Sequence, residues 1–330
     1  MTFEAAAGIQ YSLMEFNSLD GWVDDDHAAA LAVFLNTCQD MDDPDGAAFH
    51  TRAKDSPDPR TFFERFFRPV MVHNGSDGFF TGYFEPELRG LRHQTTDYRY
   101  PVYAMPNEAR VSRPWLSRRD ILETDAMIGR NLEIAWVDDP VELFFLQIQG
   151  SGRIRMPNGE SIRLGYAGAN GHEYRSIGAE LIRRGIYEPH QVSAQVIKNW
   201  IRCNPADGKA LLCHNPSYVF FREVSEVKPH LGPLGAMNRS ITPMRSVAVD
   251  PSYVPLGAPV WLEKDGKNPL RRLMIAQDTG SAIKGPQRAD VFFGTGDEAG
   301  RAAGQLRDPG RMMILMPNQQ ASVFARENAP

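Results

Sequence analysis

Two aspartates, Asp278 and Asp290, stand twelve residues apart in the stretch AQDTGSAIKGPQRADVFFGTG, residues 276–296. Each borders apolar sequence, and glycine, proline and lysine fill the segment between them. A third, Asp250 in VAVDPSYVPLG, has a similar setting. The ordinary reading is structural: aspartates at strand ends accept backbone N–H bonds in Asx turns. The sharper reading is glycosidic-bond chemistry. A carboxylic acid that protonates a leaving sugar oxygen needs a pKa raised toward the working pH. Apolar neighbours raise it by disfavouring the charged form. Asp290 is followed by Val291, Phe292 and Phe293, and strand alternation puts Phe292 on its own side. Asp278 has more turn residues around it and is expected to stay ionised or to hold the loop. Lys284 could stabilise charge or bind substrate; its ordinary reading is an exposed loop lysine. Tyr83, Phe84, Tyr103, Tyr166 and Trp261 could stack on sugar faces, although each alone reads as a core residue.

Other chemistries find less support. Gly150-Ser151-Gly152 lacks the full context of a nucleophile elbow. The eight histidines show no paired spacing, and His172 reads as a loop residue. No Walker-type loop, internal repeat or zinc-type Cys/His spacing is present, so neither a metal nor another cofactor is expected. A net charge of −5 argues against a nucleic-acid partner, because phosphate contacts need concentrated Lys and Arg. The 42% hydrophobic and 23% charged content is that of a globular chain, and 330 residues suffice for one large domain or two ordinary ones. The start, MTFEAAAGIQYSLMEF, lacks a basic segment followed by a long apolar core. Either the protein is cytoplasmic or the chain begins after a removed leader. Of three cysteines, Cys203 and Cys213 could pair in an oxidising compartment; the alternative is three buried thiols.

The elements that must position the aspartates are short and β-rich. YVFFREV, SVAVD, PVWLE, RLMIAQD, ADVFFG and RMMILMP are strand-like runs separated by Pro, Gly and Asn. From about residue 216 they predict a small barrel or sandwich. A linker or domain junction is expected in 205–239, which contain one short strand. Upstream, GFFTGYF (78–84) reads as a strand, and YRYPVYA (98–104) as an edge strand because of Pro101. VELFFLQIQ (141–149) is the strongest apolar run, ended by Gly150, and RIRMPNGESIRLGY reads as a hairpin turning at Asn158-Gly159. Helices are expected over 25–39, capped by Asp25 or Asp26, over 60–67, capped by Thr61, and from Ser117. Two more are YRSIGAELIRRG, stopped by Gly185, and SAQVIKNWIRCN, capped by Ser193 and ended at Asn204-Pro205. The residues therefore predict a C-terminal β-barrel and a separate α+β region in the middle of the chain.

One family shares these stretches. TGYFEPELRG (81–90), YPVYAMP (100–106), FFLQIQGSGRI (144–154), GYAGANGHEYRSIG (165–178), NPSYVFFRE (215–223), PLGAMNRSITPMRSVAVDPSYVPLGAPVWLE (233–263) and AQDTGSAIKGPQRADVFFGTGDEAG (276–300) resemble, in order, the membrane-bound lytic transglycosylase A family. Its C-terminal part is the 3D domain, named for three aspartates. The resemblance implies a mainly β fold with helices: a double-psi β-barrel from residues 1–85 and 225–330, and an inserted β-rich α+β domain from 86–224, with the substrate groove between them. It implies cleavage of the β-1,4 bond between N-acetylmuramic acid and N-acetylglucosamine in peptidoglycan, the muramyl 6-hydroxyl attacking its own anomeric carbon to leave a 1,6-anhydro ring. The position matching the single acid/base is Asp290, with Asp278 as the neighbour shaping the site and Asp250 structural. Thr81, Tyr83, Gln149, Ser151 and Ala282 are the implied glycan-binding positions, and the residue reading adds Tyr166 and Lys284 as candidates. Ser281 departs from the family's usual Gly. The expected partners are peptidoglycan glycan strands and other murein enzymes. The expected location is the periplasm of a Gram-negative bacterium, with outer-membrane association through a segment absent from this chain. Two rivals stand beside this reading: an inverting hydrolase using Asp278 and Asp290, and a non-catalytic glycan-binding protein.

Overall fold

A computed structural model describes residues 8–38, 44–56 and 58–327. The first seven residues of the amino-terminal stretch, Gln39 of the first expected helix, and the outer limits 1 and 330 of the expected barrel lie outside the described residues. Among the described residues the strands are β1 (Gln10–Leu13), β2 (Phe67–His73), β3 (Gly78–Glu85), β4 (Glu87–Leu91), β5 (Tyr100–Tyr103), β6 (Glu133–Val137) and β7 (Gly152–Arg155). Then come β8 (Ser161–Ala169), β9 (Val219–Glu223), β10 (Ser246–Val249), β11 (Pro259–Lys264), β12 (Leu270–Thr279), β13 (Arg288–Thr295) and β14 (Arg307–Pro317).

The chain forms two compact units. One takes Met1–Tyr83, Leu234–Gly294 and Gln305–Pro330, the other Phe84–Pro233 and Thr295–Gly304. In the first, the order β1-β2-β14-β11-β12-β10-β13-β3 is closed by a further pairing of β14 with β3. Closure makes a barrel of β3, β13, β10, β12, β11 and β14, which leaves no free edge among those six strands. It is mixed, with β10 parallel to β12 and antiparallel to β13. Alternation along the strands serves two cores. Val247, Val249, Val260, Leu262, Met274, Ala276, Val291, Met312 and Ile314 pack in one cluster. Trp261, Leu273, Ile275, Met313 and Leu315 face the opposite way, onto Trp22, Phe34, Phe62, Phe63 and Phe67. Strands buried on both faces read as continuous apolar runs, which is why RMMILMP shows no polar alternation. The helix His27–Cys38 supplies Phe34, and its first turn is held by Asp26, whose carboxylate accepts from Ala29 N–H at 3.0 Å. Asp58, not Thr61, caps the helix Pro59–Phe66: it accepts from Thr61 N–H at 2.9 Å, and Thr61 lies inside the first turn behind Pro59.

The second unit is a six-stranded sheet, β5-β6-β4-β7-β8-β9, whose edges meet at one bridge, Ala104 to Phe221. β5 is an edge strand, as Pro101 requires. β9 pairs with β8 here, so the strand-like run YVFFREV belongs to this unit and not to the C-terminal barrel. VELFFLQIQ lies in the helix Pro140–Gln149, capped by Asp139 and ended by Gly150 at φ 78°. Residues 205–239 hold an unexpected helix, Pro205–Leu212, because Pro205 ends one helix and is well suited to begin the next. None of the three cysteines is in a disulfide; Cys203 is exposed while Cys38 and Cys213 are buried, so neither the bridge nor three buried thiols is observed. The helix Gly296–Ala303 joins this unit rather than the barrel, Gly300 lying so close to Phe84 that a Cβ would stand 2.7 Å from the ring. With helices alongside both sheets, the observed architecture is the expected one, a barrel plus a second β-rich domain.

Candidate functional site

β10 lies between β12 and β13, and its Ala248 is in register with Asp278 on one side and Asp290 on the other. Two inter-strand steps put the two Cα atoms roughly 10 Å apart, with side chains directed to the same face. β3 completes the site. Thr81 and Tyr83, two residues apart on that strand, each reach one of the aspartates.

The three aspartates turn out to be bound differently. Asp250 is buried; Oδ1 accepts from Ser252 N–H at 3.1 Å in an Asx turn, and Oδ2 from Gly285 N–H at 2.9 Å. Burial pushes its pKa up, but these N–H donors, the Ser252 hydroxyl and nearby Lys284 hold it below the ordinary value. Asp250 thus pins the 280–287 loop, where Gly285 sits at φ 110° and Ile283 is buried, while Ser281, Ala282 and Lys284 are exposed. Asp278 is half-buried at the end of β12. Oδ1 accepts from Thr279 N–H at 2.9 Å and Ala236 N–H at 3.0 Å, and Oδ2 from the Tyr83 hydroxyl at 2.8 Å. Burial raises its pKa, and these three donors oppose the rise. Burial thus acts on Asp278 as well as on Asp290, beside the turn chemistry expected around it.

Asp290 lies within β13, not at a turn, so the Asx-turn reading does not apply to it. Oδ1 accepts one hydrogen bond, from the Thr81 hydroxyl at 2.6 Å, and Oδ2 accepts none from a described residue. Burial pushes its pKa up to about 6; the Thr81 hydroxyl and Arg288 pull down, and Asp278 pushes up. Phe292, fully buried, is on the same side of the strand and contacts the Tyr83 ring at 5.3 Å between centroids. The Tyr83 hydroxyl is raised well above its ordinary pKa by burial and by Asp278, so it stays a donor.

The remaining expected residues lie in the second unit. Gln149 ends the helix Pro140–Gln149 and its side-chain oxygen accepts from Phe84 N–H at 3.2 Å. Ser151 is half-buried between that helix and β7, and Tyr166 on β8 is 57% exposed, free to offer its ring. Arg288 escaped the sequence reading. It stands two residues before Asp290 on β13, hence on the same strand face, and that spacing was the available signal. Among the described residues no group of three or more His, Cys, Asp or Glu side chains is arranged to hold a metal ion.

Known proteins resemble this chain in sequence and fold. A family model described as the MltA specific insert domain matches residues 79–222, and one described as the 3D domain matches 245–316. Over 275 residues the chain is 34% identical to the membrane-bound lytic murein transglycosylase A of Vibrio cholerae, an alignment covering 79% of this chain and 72% of that protein. The chain belongs to the membrane-bound lytic murein transglycosylase A family. Family membership makes it an enzyme. The 3D match contains Asp250, Asp278 and Asp290, and the insert match contains Thr81, Tyr83, Gln149, Ser151 and Tyr166. Solved family structures agree in fold. The membrane-bound lytic murein transglycosylase of Agrobacterium tumefaciens is similar at a TM-score of 0.83 and 31% identity, over 96% of this chain and 99% of that one. E. coli MltA with bound chitohexaose is similar at 0.77 and 27%, over 93% and 94%.

Proposed function

We propose that this protein is a peptidoglycan lytic transglycosylase that cleaves the β-1,4 bond between N-acetylmuramic acid and N-acetylglucosamine and leaves a 1,6-anhydro-muramyl end, with Asp290 as its single acid/base. The observation that carries the reading is the contrast between two aspartates of one site. Asp278 has both oxygens engaged by three donors, whereas Asp290 keeps Oδ2 open and has its pKa pushed to about 6. A group with that value retains protonated carboxyl near neutral pH and can give the proton to the leaving sugar oxygen. Having given it, the carboxylate can take the proton of the muramyl 6-hydroxyl as that oxygen closes on the anomeric carbon. Glycosidases ordinarily need a second carboxylate to activate water or act as nucleophile. An internal hydroxyl replaces much of that work through its high effective concentration. Asp278 shapes the site, holding Tyr83 against Phe292.

Glycan contacts are assigned to Ala282 and Lys284 on the barrel loop and to Gln149, Ser151 and Tyr166 on the second unit. The chitohexaose held by the E. coli relative, a chain of N-acetylglucosamine units, supports a glycan strand as ligand. The names of the relatives support the Gram-negative envelope as the place of action, on its periplasmic side.

Mass spectrometry of products from purified sacculi tests the reading. Muropeptides ending in anhydro-muramic acid, one water lighter than hydrolytic products, are expected. Reducing ends carrying that water would replace it with an inverting hydrolase and make Asp278 the base. Retention on sacculi with no soluble product would make the protein a glycan-binding one.

A further inference from the structure

Arg288 has no part in the chemistry above, yet its guanidinium makes three hydrogen bonds at the site. Nη1 donates to the carbonyls of Ala289 at 2.6 Å and Phe79 at 3.3 Å, and Nη2 donates to Thr81 Oγ1 at 2.8 Å. The group also lies over the Phe79 ring, 5.2 Å from its centroid. None of its hydrogen bonds goes to Asp290. The link runs through Thr81, whose oxygen stands 2.6 Å from Asp290 Oδ1.

A threonine hydroxyl has one proton and can accept as well as donate, while a guanidinium can only donate. With Arg288 donating into Thr81 Oγ1, the hydroxyl proton cannot point back at the arginine. It points at Asp290 Oδ1. We propose that Arg288 is a positioning residue for Asp290: by donating to Thr81 it commits the Thr81 proton to Oδ1 and leaves Oδ2 as the oxygen that carries the transferable proton. Oδ2 gives that proton to the glycosidic oxygen and later receives one from the 6-hydroxyl, while Oδ1 keeps its bond throughout. Without the arginine, Thr81 is free to turn its proton elsewhere and accept from a protonated Oδ1, so the acid has two proton positions instead of one. This inference rests on Asp290 being the acid.

The charged groups acting on Asp290 are Arg288, which favours its ionised form, and Asp278, which opposes it. Removing the guanidinium therefore raises the Asp290 titration midpoint directly and also loosens the Thr81 bond that favours the carboxylate. The experiment follows the Asp290 carboxyl carbon by NMR in selectively labelled protein, alongside the pH profile of sacculus cleavage. Five proteins are compared: wild type, Arg288→Met, Thr81→Val, the double variant, and Arg288→Lys as the conservative variant. In Arg288→Met the midpoint is expected to rise by roughly half to one pH unit, and the alkaline limb of cleavage to move with it. In the Thr81→Val background the same substitution should move the midpoint less than half as far, because the relay is already broken. Arg288→Lys, which keeps a donor, should restore much of the wild-type profile. An equal effect of Arg288→Met with and without the Thr81 hydroxyl would overturn the relay and leave a bulk charge, as would no shift at all. If the NMR midpoints move as expected but the cleavage limb does not follow, Asp290 is not the acid. The relay would then stand as a property of the site while its catalytic meaning, and the proposed function, fail.

Discussion

Among the described residues Asp290 has one hydrogen-bond donor where Asp278 has three, and that difference separates two carboxylates that both border apolar sequence. Burial pushes both carboxyls up, but Asp278 is surrounded by groups that favour its charge. The consequence for Asp290 can be measured in two ways. Asp290→Asn should lower sacculus cleavage by about 10²–10⁴-fold while the protein folds normally, since removing one acid/base group costs about that much. It should also stabilise the protein near neutral pH. The folded state holds the Asp290 proton at about 6 against an ordinary 3.8, so stability is lost as pH rises from about 4 through 6 and is not regained at 7. The amide removes that loss, worth up to about 3 kcal/mol before solvent screening and about 1–2 kcal/mol after it. Urea unfolding of both proteins at pH 7 and near pH 4 checks this: a gap at the higher pH that closes at the lower one is expected, and an equal gap at both would show that Asp290 is not perturbed.

Among the elements, the 280–287 loop is shaped by a residue outside it. Asp250, at the end of β10, takes the Gly285 N–H, so the loop that carries Ala282 and Lys284 is fastened in its middle. Asp250→Ala leaves that N–H without its partner at a cost of about 1–3 kcal/mol. Trypsin should then cut after Lys284 faster than in the wild type, and the apparent affinity for glycan should weaken with the Asp290 midpoint unmoved. Unchanged proteolysis would show that the loop holds itself. Elements with a local signal were legible: the helix starts at Ser117 and Ser193, the Asn158-Gly159 hairpin and the strand runs after residue 245. VELFFLQIQ was not, because an apolar run without period fits a buried helix and a buried strand equally. The helix Pro205–Leu212 was hidden by a proline that punctuates in both directions.

At the scale of the molecule, each unit has its own core and its own polar fastening. In the second unit Glu85 is fully buried. It receives Arg153 Nε at 2.8 Å and the Thr295 hydroxyl at 2.7 Å, with Arg163 Nε at 3.3 Å. Arg153 and Arg163 also hold the carbonyls of Pro229 and Leu231, so one carboxylate organises three segments distant in sequence. Glu85→Ala leaves two guanidinium groups without their buried counter-charge and should cost about 3–5 kcal/mol. Chemical denaturation monitored by the tryptophans of the second unit checks it; a cost below about 1 kcal/mol would mean solvent replaces the carboxylate.

What the sequence determined by itself was a candidate pair of carboxylates, because Asp278 and Asp290 stand beside apolar runs that are readable locally; the choice of Asp290 as acid and the inclusion of Thr81 and Tyr83 came from the family resemblance. The sequence also determined a mainly β chain with a separate middle region. Only the tertiary structure decided which oxygen meets which donor. Thr81 and Asp290 are 209 residues apart and meet because β3, from the first quarter of the chain, pairs with β13 in the barrel. No local propensity encodes that meeting, since it is won by burial summed over the whole barrel. For the same reason Arg288 stayed unread: its partner is a hydroxyl on a strand 207 positions away in the chain.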